Sequence, residues 1–406
     1  MPSNTTSNLT NSIQALYLNK YLMGSKARKV YDQIAVDYTQ FSNGKSMAEL
    51  MKGSSVSVPF LSQMQPGVTA ISQLTDVTPQ RLYDAIASVT PTSRGETLSW
   101  SELLSIQAYT DYTARAYEAV GANAMESIEI LAAAAATQGS WVERYTARAS
   151  LDAGTPGHRA TDAIFRKYQA MFETLRIPGF LTETGENNVW SAIMHPFVFH
   201  DISESGNVDS IGLYQNQGIH LNFELAQVGP FRLVSTGYAK VFGAAGLDNG
   251  TAVATTLNGD VAPLSTTFVT AADVSANVAA GLFWWIGTEE TANTHYPTNE
   301  PVRPLSASTY TITGMGAAPN GGLLYEHSSG EAVRNADSVY SVVFAGPQSL
   351  VKVYATETGP DGQVVGPKTT GSLDQFNLLG WKYYGGYGRI SENRLLRFEC
   401  STSYEA

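Results

Sequence analysis

A long helix over residues 101–138 is the prediction that most limits the folds open to this sequence. No proline occurs between Pro91 and Pro156, so nothing there forces a break, and Gly139 supplies a stop just after the helix. About 35 residues, each rising about 1.5 Å, would span roughly 50 Å, which is longer than most globular domains need. The residues predicted to form one buried stripe recur at three- and four-residue steps: Ile106, Tyr109, Thr113, Tyr117, Val120, Ala124, Ile128, Leu131 and Ala135.

The low charge of the sequence indicates that much of its surface is buried against other molecules. Of the 406 residues, 43% are hydrophobic and only 15% are charged, against the usual ~25%. Tyrosine is abundant, at 21 residues, and the cores of protein interfaces lose charge and gain aromatic residues. We therefore expect the chain to contact copies of itself.

The net charge of −11 argues against sequence-specific DNA binding, because neutralising phosphates needs clustered Lys and Arg. Residues 1–60 are the exception, with six Lys or Arg against three Asp or Glu. Their basic group Lys26, Arg28 and Lys29 is interpreted as a solvated helix face rather than as a nucleic-acid site. An acidic chain of this kind could still line a compartment that holds DNA without binding the DNA tightly.

The cysteine count and the hydropathy argue against a disulfide-stabilised protein, a cysteine-based zinc protein and a membrane-spanning protein. Cys400 is the only cysteine, so neither an intrachain disulfide nor a cysteine-based zinc site can form. The first ten residues are polar, unlike a signal sequence, and no run approaches 18 apolar residues. We therefore expect no membrane span, and assembly in a reducing cytoplasm.

Residues 53–99 are predicted to form a long two-stranded hairpin that extends away from the rest of the chain. Residues 54–60 alternate polar and apolar side chains, with Pro59 placing this strand at an edge, and residues 81–89 alternate less cleanly. Turns are predicted at 65–67 and 93–95. Because an isolated hairpin of this size is only marginally stable in water, its partner is expected to be another subunit.

The remaining elements are short. We predict a helix over 163–176, a strand over 189–194 that turns into a short helix after His195, and alternation over 219–241. Residues 246–335 are rich in Gly, Thr, Ala, Asn and Pro and predict a β-rich insertion. Strands 339–344 and 350–354 are predicted to share one sheet, and a last strand covers 394–400.

Residues His195, His200 and Asp201 are the best candidates for a chemical site. On a strand the two histidines point to opposite faces, and on a helix they lie about 140° apart, unlike the i, i+4 pairs that bind zinc. We interpret the segment as a capped turn between strand and helix rather than a metal or hydrolase site. The glycines at 385–388 do not open a helix as a dinucleotide loop does, and the sequence contains no Gly-x-Ser-x-Gly motif. We predict no enzyme activity, no cofactor and no metal.

Three short stretches, in a fixed order along the chain, indicate its family. Their residues are His195, Pro196 and Asp201; Gly229, Phe231 and Arg232; and Gly380, Trp381, Lys382, Gly385, Gly386 and Gly388. With the basic arm, the hairpin and the long helix, their order and spacing resemble the major capsid proteins of tailed phages. The resemblance is greatest to the branch that includes the podophages with a virion RNA polymerase.

The resemblance implies an α+β protein with the tailed-phage major capsid (Johnson) fold, which herpesvirus capsid proteins share. That fold has an N-terminal arm, an extended β-hairpin loop, a peripheral domain with a long spine helix, and an axial domain with a central β-sheet. On this sequence it implies the arm at 1–50, the loop at 51–98, and the peripheral domain with the spine helix at 99–154. It also implies the axial domain with peripheral-domain strands at 155–245, a β-rich and surface-exposed insertion at 246–335, and axial-domain strands with a C-terminal return to the peripheral domain at 336–406.

The function implied by the resemblance is self-assembly into hexamers and pentamers that close into an icosahedral capsid around the packaged genome. The implied location is the virion, with assembly in the host bacterial cytoplasm. Implied partners are neighbouring copies, a scaffolding protein, a portal at one vertex, double-stranded DNA in weak contact, and a decoration protein. Because the chain begins at Met1, we expect the scaffolding protein to be separate. Some members cross-link through a lysine on the extended loop, but no lysine occurs from Gly53 to Arg166, so we predict no covalent cross-link.

Two other functions stay open from the sequence. An encapsulin-type compartment shares the fold but encloses enzyme cargo. A secreted β-rich binding protein would suit residues 246–335, although it would want a signal sequence and disulfides.

Overall fold

A computed structural model gives the fold of the chain. It describes residues 29–38, 55–62, 64, 66, 68, 79–108, 112–180, 189–204, 209–210, 224–247, 253–275, 283–287, 299–355, 358–371 and 373–405. The basic residues Lys26 and Arg28, the stripe residue Tyr109 and most of the turn predicted at 65–67 lie outside the described residues.

The long helix is the main strut of the molecule, but it is shorter than the sequence predicts. A short helix, Glu102–Gln107, is followed by extended backbone at Ala108, and the spine helix runs over Tyr112–Thr137, about 39 Å. The prediction of one unbroken helix over 101–138 is therefore wrong. The physical reason is packing: Leu104 is buried in the core, whereas Ile106, predicted to be buried, is 73% exposed. Further along, Val120, Ala124, Ile128 and Ala135 are buried as the stripe predicts, whereas Tyr117 is 39% exposed and Leu131 is half-buried.

A five-stranded sheet lies under the N-terminal half of the spine helix. Its strands are β1 (Ala35–Asp37), β18 (Leu350–Tyr354), β20 (Phe376–Arg389) and β19 (Gln363–Thr370), with β4 (Thr92–Ser101) also paired to β20. The turn predicted at 93–95 is wrong, because these residues lie in β4. Gly95 is in the strand because the carbonyl oxygen of Trp381 would lie 2.3 Å from any Cβ at that position, so only glycine allows this approach.

An eight-stranded sheet forms the largest core. Its strands are β5 (Val142–Arg144), β21 (Leu395–Cys400), β17 (Val339–Ala345), β6 (Trp190–Met194), β9 (Phe231–Ser235), β8 (Glu224–Val228) and β7 (Asp209–Ser210), with β10 (Val241–Phe242) paired to β17. The helix Asp162–Thr174, close to the predicted 163–176, packs its buried Phe165, Tyr168 and Phe172 against this sheet.

The chain passes between the two sheets after β17. The prediction that 339–344 and 350–354 share a sheet is wrong, because β17 pairs with β6 and β21 whereas β18 pairs with β1 and β20. Gly346, Pro347 and the left-handed Gln348 (φ 55°) turn the chain from one sheet to the other. The last strand, β21, pairs with β17 and β5 in the eight-stranded sheet.

The predicted β-rich insertion is confirmed as a sheet with its own core. Six strands form it: β11 (Val253–Thr256), β16 (Ala332–Asn335), β13 (Trp284–Ile286), β14 (Glu300–Ser308), β15 (Thr311–Met315) and β12 (Thr267–Val269). Buried Phe268, Trp284, Val302 and Ile312 pack between them.

Two strands, β2 (Val56–Leu61) and β3 (Asp84–Val89), form the predicted hairpin. They pair antiparallel from Val56 opposite Val89 to Leu61 opposite Asp84, and among the described residues they form a sheet by themselves. Shorter helices complete the described structure: Tyr31–Ile34 and Pro196–Glu204, and the 3-10 turns Arg148–Ser150, Pro156–His158, Glu392–Arg394 and Ser403–Glu405.

The spine helix joins the five-stranded and the eight-stranded sheets. Its N-terminal half packs Val120, Ala124 and Ile128 with Trp381 of β20, whereas Ala132 and Ala136 near its C-terminal end pack with Val343 of β17. By length and hydropathy the helix could cross a membrane, but these contacts are those of a core helix.

Candidate functional site

The root of the hairpin is packed firmly into the body of the molecule. Buried Val56, Val58 and Val89 contact Val351 and Val353 of β18. The ribbon therefore starts from a fixed position on the five-stranded sheet.

The outer part of the hairpin exposes large apolar side chains. Tyr83 is 70% and Ile86 64% exposed, and Met64, Val68 and Leu82 are exposed as well. An apolar two-stranded ribbon in water is marginally stable, and clustered exposed apolar side chains mark interaction sites. The hairpin is thus the best candidate for an interaction element in the described part of the chain.

A carboxylate on the spine helix holds the segment that enters the fold at residue 29. Glu129, fully buried, accepts the backbone N–H groups of Val30 at 2.9 Å, Tyr31 at 2.8 Å and Asp32 at 3.4 Å. It thus caps the first turn of the helix Tyr31–Ile34. Burial raises the pKa of Glu129 to about 7, against the lowering effect of these three hydrogen bonds.

Two arginines fix the C-terminal end of the spine helix to both sheets. Arg389, at the end of β20, donates to the carbonyl oxygens of Ala136, at 3.0 Å, and Gln138. Arg397, in β21, donates to the carbonyl oxygen of Thr137. Cations at this position complement the partial negative charge of the last carbonyl groups of a helix. The spine helix is therefore anchored where the two sheets meet.

His195 and Pro196 lie at the junction of β6 and the following helix. The Nδ1 atom of His195 accepts the backbone N–H of Phe197 at 3.3 Å, and Pro196 takes the first helical position, where its missing N–H costs nothing. Burial lowers the pKa of His195 to about 3, so the ring stays neutral and can accept. This is the capped turn that the sequence predicts.

Asp201 holds the C-terminal turn of the chain. Its carboxylate accepts the backbone N–H of Ser403 at 2.9 Å and the Ser403 hydroxyl. Phe197 stacks on Tyr404 beside it, with ring centroids 4.2 Å apart. His200, Asp201 and Glu204 bring potential ligand atoms within 4.8 Å of one another, but Asp201 is engaged by Ser403 and the other two are exposed.

Gly229 lies in the turn before β9, and Phe231 and Arg232 lie in β9, the strand that pairs with β6. Gly229 has φ +56° in the turn between β8 and β9. The Phe231 ring is fully buried, with the rings of Phe344 and Trp190 centred 5.0 and 5.6 Å away. Arg232 is fully buried and pairs through its backbone with β6 and β8. These residues build the core of the eight-stranded sheet.

The third group lies apart, in β20 of the five-stranded sheet. Trp381 donates from its indole nitrogen to Asn123 of the spine helix at 2.8 Å, and Lys382 is exposed. A Cβ at Gly388 would lie 2.2 Å from Val89, so glycine lets the hairpin root approach the strand. The remaining glycines of this group, Gly380, Gly385 and Gly386, lie on the same strand.

The three groups do not form one site. Strands β6 and β9 are neighbours, but Phe231 lies opposite Trp190 at the start of β6, whereas His195 follows the end of β6. The third group lies in a different sheet. Sequence reasoning missed Glu129, Arg389 and Arg397 as anchoring residues. One signal was available: Glu129 is the only charged residue between Ile128 and Thr137, a stretch expected to pack against the core. Its partners are backbone N–H groups about 100 residues away, which leave no trace in the sequence.

Comparison with known proteins identifies the fold. No family model and no curated protein matches the sequence. Among solved structures, the chain is similar to the capsid of Ralstonia phage GP4, with a TM-score of 0.58 and 11% identity, over 95% of this chain and 94% of that chain. It is also similar to the capsid of cyanophage P-SCSP1u, with a TM-score of 0.52 and 10% identity, over 95% of this chain and 93% of that chain. The capsid of cyanophage Pam1 gives a TM-score of 0.51 and 11% identity, over 95% of this chain and 96% of that chain. The chain therefore has the α+β phage capsid fold that the resemblance implies.

Proposed function

We propose that this chain is the major capsid protein of a tailed double-stranded DNA phage, and that it assembles into hexamers and pentamers that close into an icosahedral shell. The observation that carries the proposal is the agreement of the fold with phage capsids over nearly the full length of both chains. We further propose that the phage belongs to the podophage branch with a virion RNA polymerase, on the three sequence stretches described above.

The hairpin supports self-assembly. Its root is fixed by Val56, Val58 and Val89, so its direction is set, while Tyr83 and Ile86 need a surface to cover them. In a shell every subunit has neighbours, and many modest contacts per subunit give high avidity. A neighbouring copy is the partner that we propose for this ribbon.

The proposed role is structural rather than enzymatic. The acidic balance of the chain would keep contact with packaged DNA weak, which leaves the genome mobile for packaging and ejection. We propose a separate scaffolding protein and a portal as assembly partners. The β-rich insertion is proposed to lie on the outer surface of the shell, where a decoration protein could bind. No lysine is present on the hairpin, and the shells are proposed to release intact monomers on boiling in detergent.

The first test is expression of the chain with and without its neighbouring genes, followed by sedimentation velocity and negative-stain microscopy. Shells or capsomer rings are expected, and a clean monomer in both preparations would contradict self-assembly. The double substitution Tyr83→Asp and Ile86→Asp should abolish the particles while the chain stays folded by circular dichroism. Leu305→Asp, at a side chain of the insertion that is 56% exposed, is the matched control and should assemble normally.

DNA content distinguishes a genome shell from an enzyme compartment. Particles purified from infected cells should contain double-stranded DNA that resists nuclease until the shell is opened. Particles filled with a folded enzyme and free of nucleic acid would instead support an encapsulin-type compartment.

A further inference from the structure

A fully buried histidine next to the six-stranded sheet lies between two carboxylates. The Nε2 atom of His327 is 2.9 Å from Oε1 of Glu300, and its Nδ1 atom is 2.8 Å from Oε2 of Glu331. An ionised carboxylate can only accept hydrogen bonds, so both ring nitrogens must donate. With both carboxylates ionised, the geometry fits a positively charged imidazolium between two negative groups.

The same carboxylates hold the chain on either side of His327. Glu300, in β14, accepts the backbone N–H groups of Leu324 at 2.9 Å and Tyr325 at 3.1 Å. Glu331 accepts the backbone N–H of Ser328 at 3.1 Å. The conformation of residues 324–328 thus depends on where these two carboxylates lie.

Tyr325 connects this segment to the spine helix. Its hydroxyl donates to Oε1 of Glu126 at 2.7 Å, and the hydroxyl of Tyr238 approaches the same atom at 3.4 Å. A cavity of about 550 Å³, lined in part by Glu96, Trp381 and Tyr325, lies beside the contact and leaves the segment room to move.

We propose that His327, Glu300 and Glu331 form a proton-controlled latch that holds residues 324–327, and through Tyr325 the β-rich insertion, against the spine helix. When the imidazolium loses a proton, one ring nitrogen presents a lone pair to a carboxylate within hydrogen-bonding distance. That carboxylate then loses its hydrogen bond from the ring and faces a lone pair of the fully buried imidazole instead, which is costly. The segment moves and the contact between Tyr325 and Glu126 is lost. The latch is a property of the insertion and does not depend on the proposed capsid function.

The latch is closed at low pH and opens as the pH rises. Burial alone lowers the pKa of His327, but the hydrogen bonds and charges of Glu300 and Glu331 outweigh it and raise the pKa above 6.5. The proton is held more tightly in the folded chain than in the unfolded one. The stabilisation is therefore complete below the unfolded pKa and is lost as the pH passes the folded one. The other titratable groups around the latch, among the described residues, include Tyr325, Glu326, Asp260 (through Ser329), Glu126 and Tyr238.

Hydrogen exchange of the full-length chain between pH 6 and 9, read by mass spectrometry and corrected for intrinsic rates, tests the latch. Peptides covering 323–328 and the spine helix around Glu126 should lose protection with one midpoint above pH 6.5. The amide exchange rate of these peptides should increase about tenfold for each pKa unit by which the pKa of His327 in the folded chain exceeds its pKa in the unfolded chain. Histidine NMR on the labelled chain should show His327 titrating at the same midpoint.

Three variants separate the latch from simple loss of structure. Glu331→Gln keeps the shape but removes one charge, so both midpoints should move to lower pH. Tyr325→Phe should leave the His327 titration in place while protection around Glu126 no longer follows pH. His200→Gln, at an exposed histidine, should change nothing. Flat protection of 323–328 while His327 titrates, or a midpoint that Glu331→Gln does not move, would overturn the proposal.

Discussion

The carboxylate of Glu129, inside the spine helix, accepts the backbone N–H of Tyr31 at 2.8 Å, although 98 residues separate the two in the chain. Around this bond, Asp32 accepts from Lys352 at 3.3 Å and from the hydroxyl of Tyr387 at 2.6 Å. The buried segment from Val30 to Ala35 is thus tied both to the helix and to the five-stranded sheet. Glu129 is the residue on which this attachment depends most, because it serves three N–H groups at once.

Replacing Glu129 with alanine should destabilise the chain by about 3 kcal/mol, because three buried N–H groups lose their acceptor. Urea unfolding followed by tryptophan fluorescence measures the change. Glu118→Ala, which removes an exposed carboxylate of the same helix paired only with Arg115, is the control and should stay within about 0.5 kcal/mol. Equal losses in the two variants would mean that Glu129 anchors nothing.

The same carboxylate should make stability depend on pH. Its pKa is raised from 4.5 to about 7 in the folded chain, so the folded state binds the proton more tightly over this window. The free energy of unfolding should therefore fall as the pH rises from about 4.5 to 7, by on the order of 3 kcal/mol relative to Glu129→Gln. Urea midpoints at half-unit pH steps, in both chains, measure this difference. The subtraction matters because Glu405 is also buried with a pKa raised to about 7. A constant difference between the chains would count against titration of Glu129.

What the sequence predicts well in this chain is local. The apolar stripe from Val120 to Ala135, the strand and capped turn at His195, and the separate β-rich insertion are set by periodicity and composition. All three are found, with Leu131 of the stripe only half-buried. Each depends on neighbours within a few residues or on the average character of a segment.

What the sequence misses depends on contacts between distant residues. Ala108 favours helix by itself, and the break there follows from burying Leu104 rather than Ile106. Gly95 resembles a turn residue until the carbonyl of Trp381 is seen to occupy the space of its missing Cβ. The anchoring partners of Glu129 and of Arg389 are backbone atoms, which have the same chemistry in every residue. Local pattern therefore carries no information about them.

Arg389→Ala should loosen the junction of the two sheets. The guanidinium contacts the carbonyl oxygens of Ala136 and Gln138 and forms a two-bond pair with Glu392 at 2.8 and 2.9 Å, so about 2 kcal/mol of stability should be lost. Thermal unfolding by calorimetry measures the loss. Arg166→Ala, at a side chain that is 69% exposed and pairs with Asp162, is the control and should be nearly neutral. If Arg389→Lys restores full stability, charge alone suffices and the forked geometry is not required.

Gly388→Ala should disturb the hairpin without unfolding the body of the chain. The added methyl would lie 2.2 Å from a methyl carbon of Val89, so the hairpin root must shift, at a cost of about 1–3 kcal/mol. Because the root sets the direction of the ribbon, the yield of particles should fall strongly even though the melting temperature of the monomer falls only modestly. The matched control is Gly121→Ala on the spine helix, where nothing lies within 4 Å and the better helix former should add up to about 1 kcal/mol of stability. Sedimentation of both variants beside the unchanged chain gives the result. Normal shells from Gly388→Ala would show that the position of the hairpin root does not control assembly.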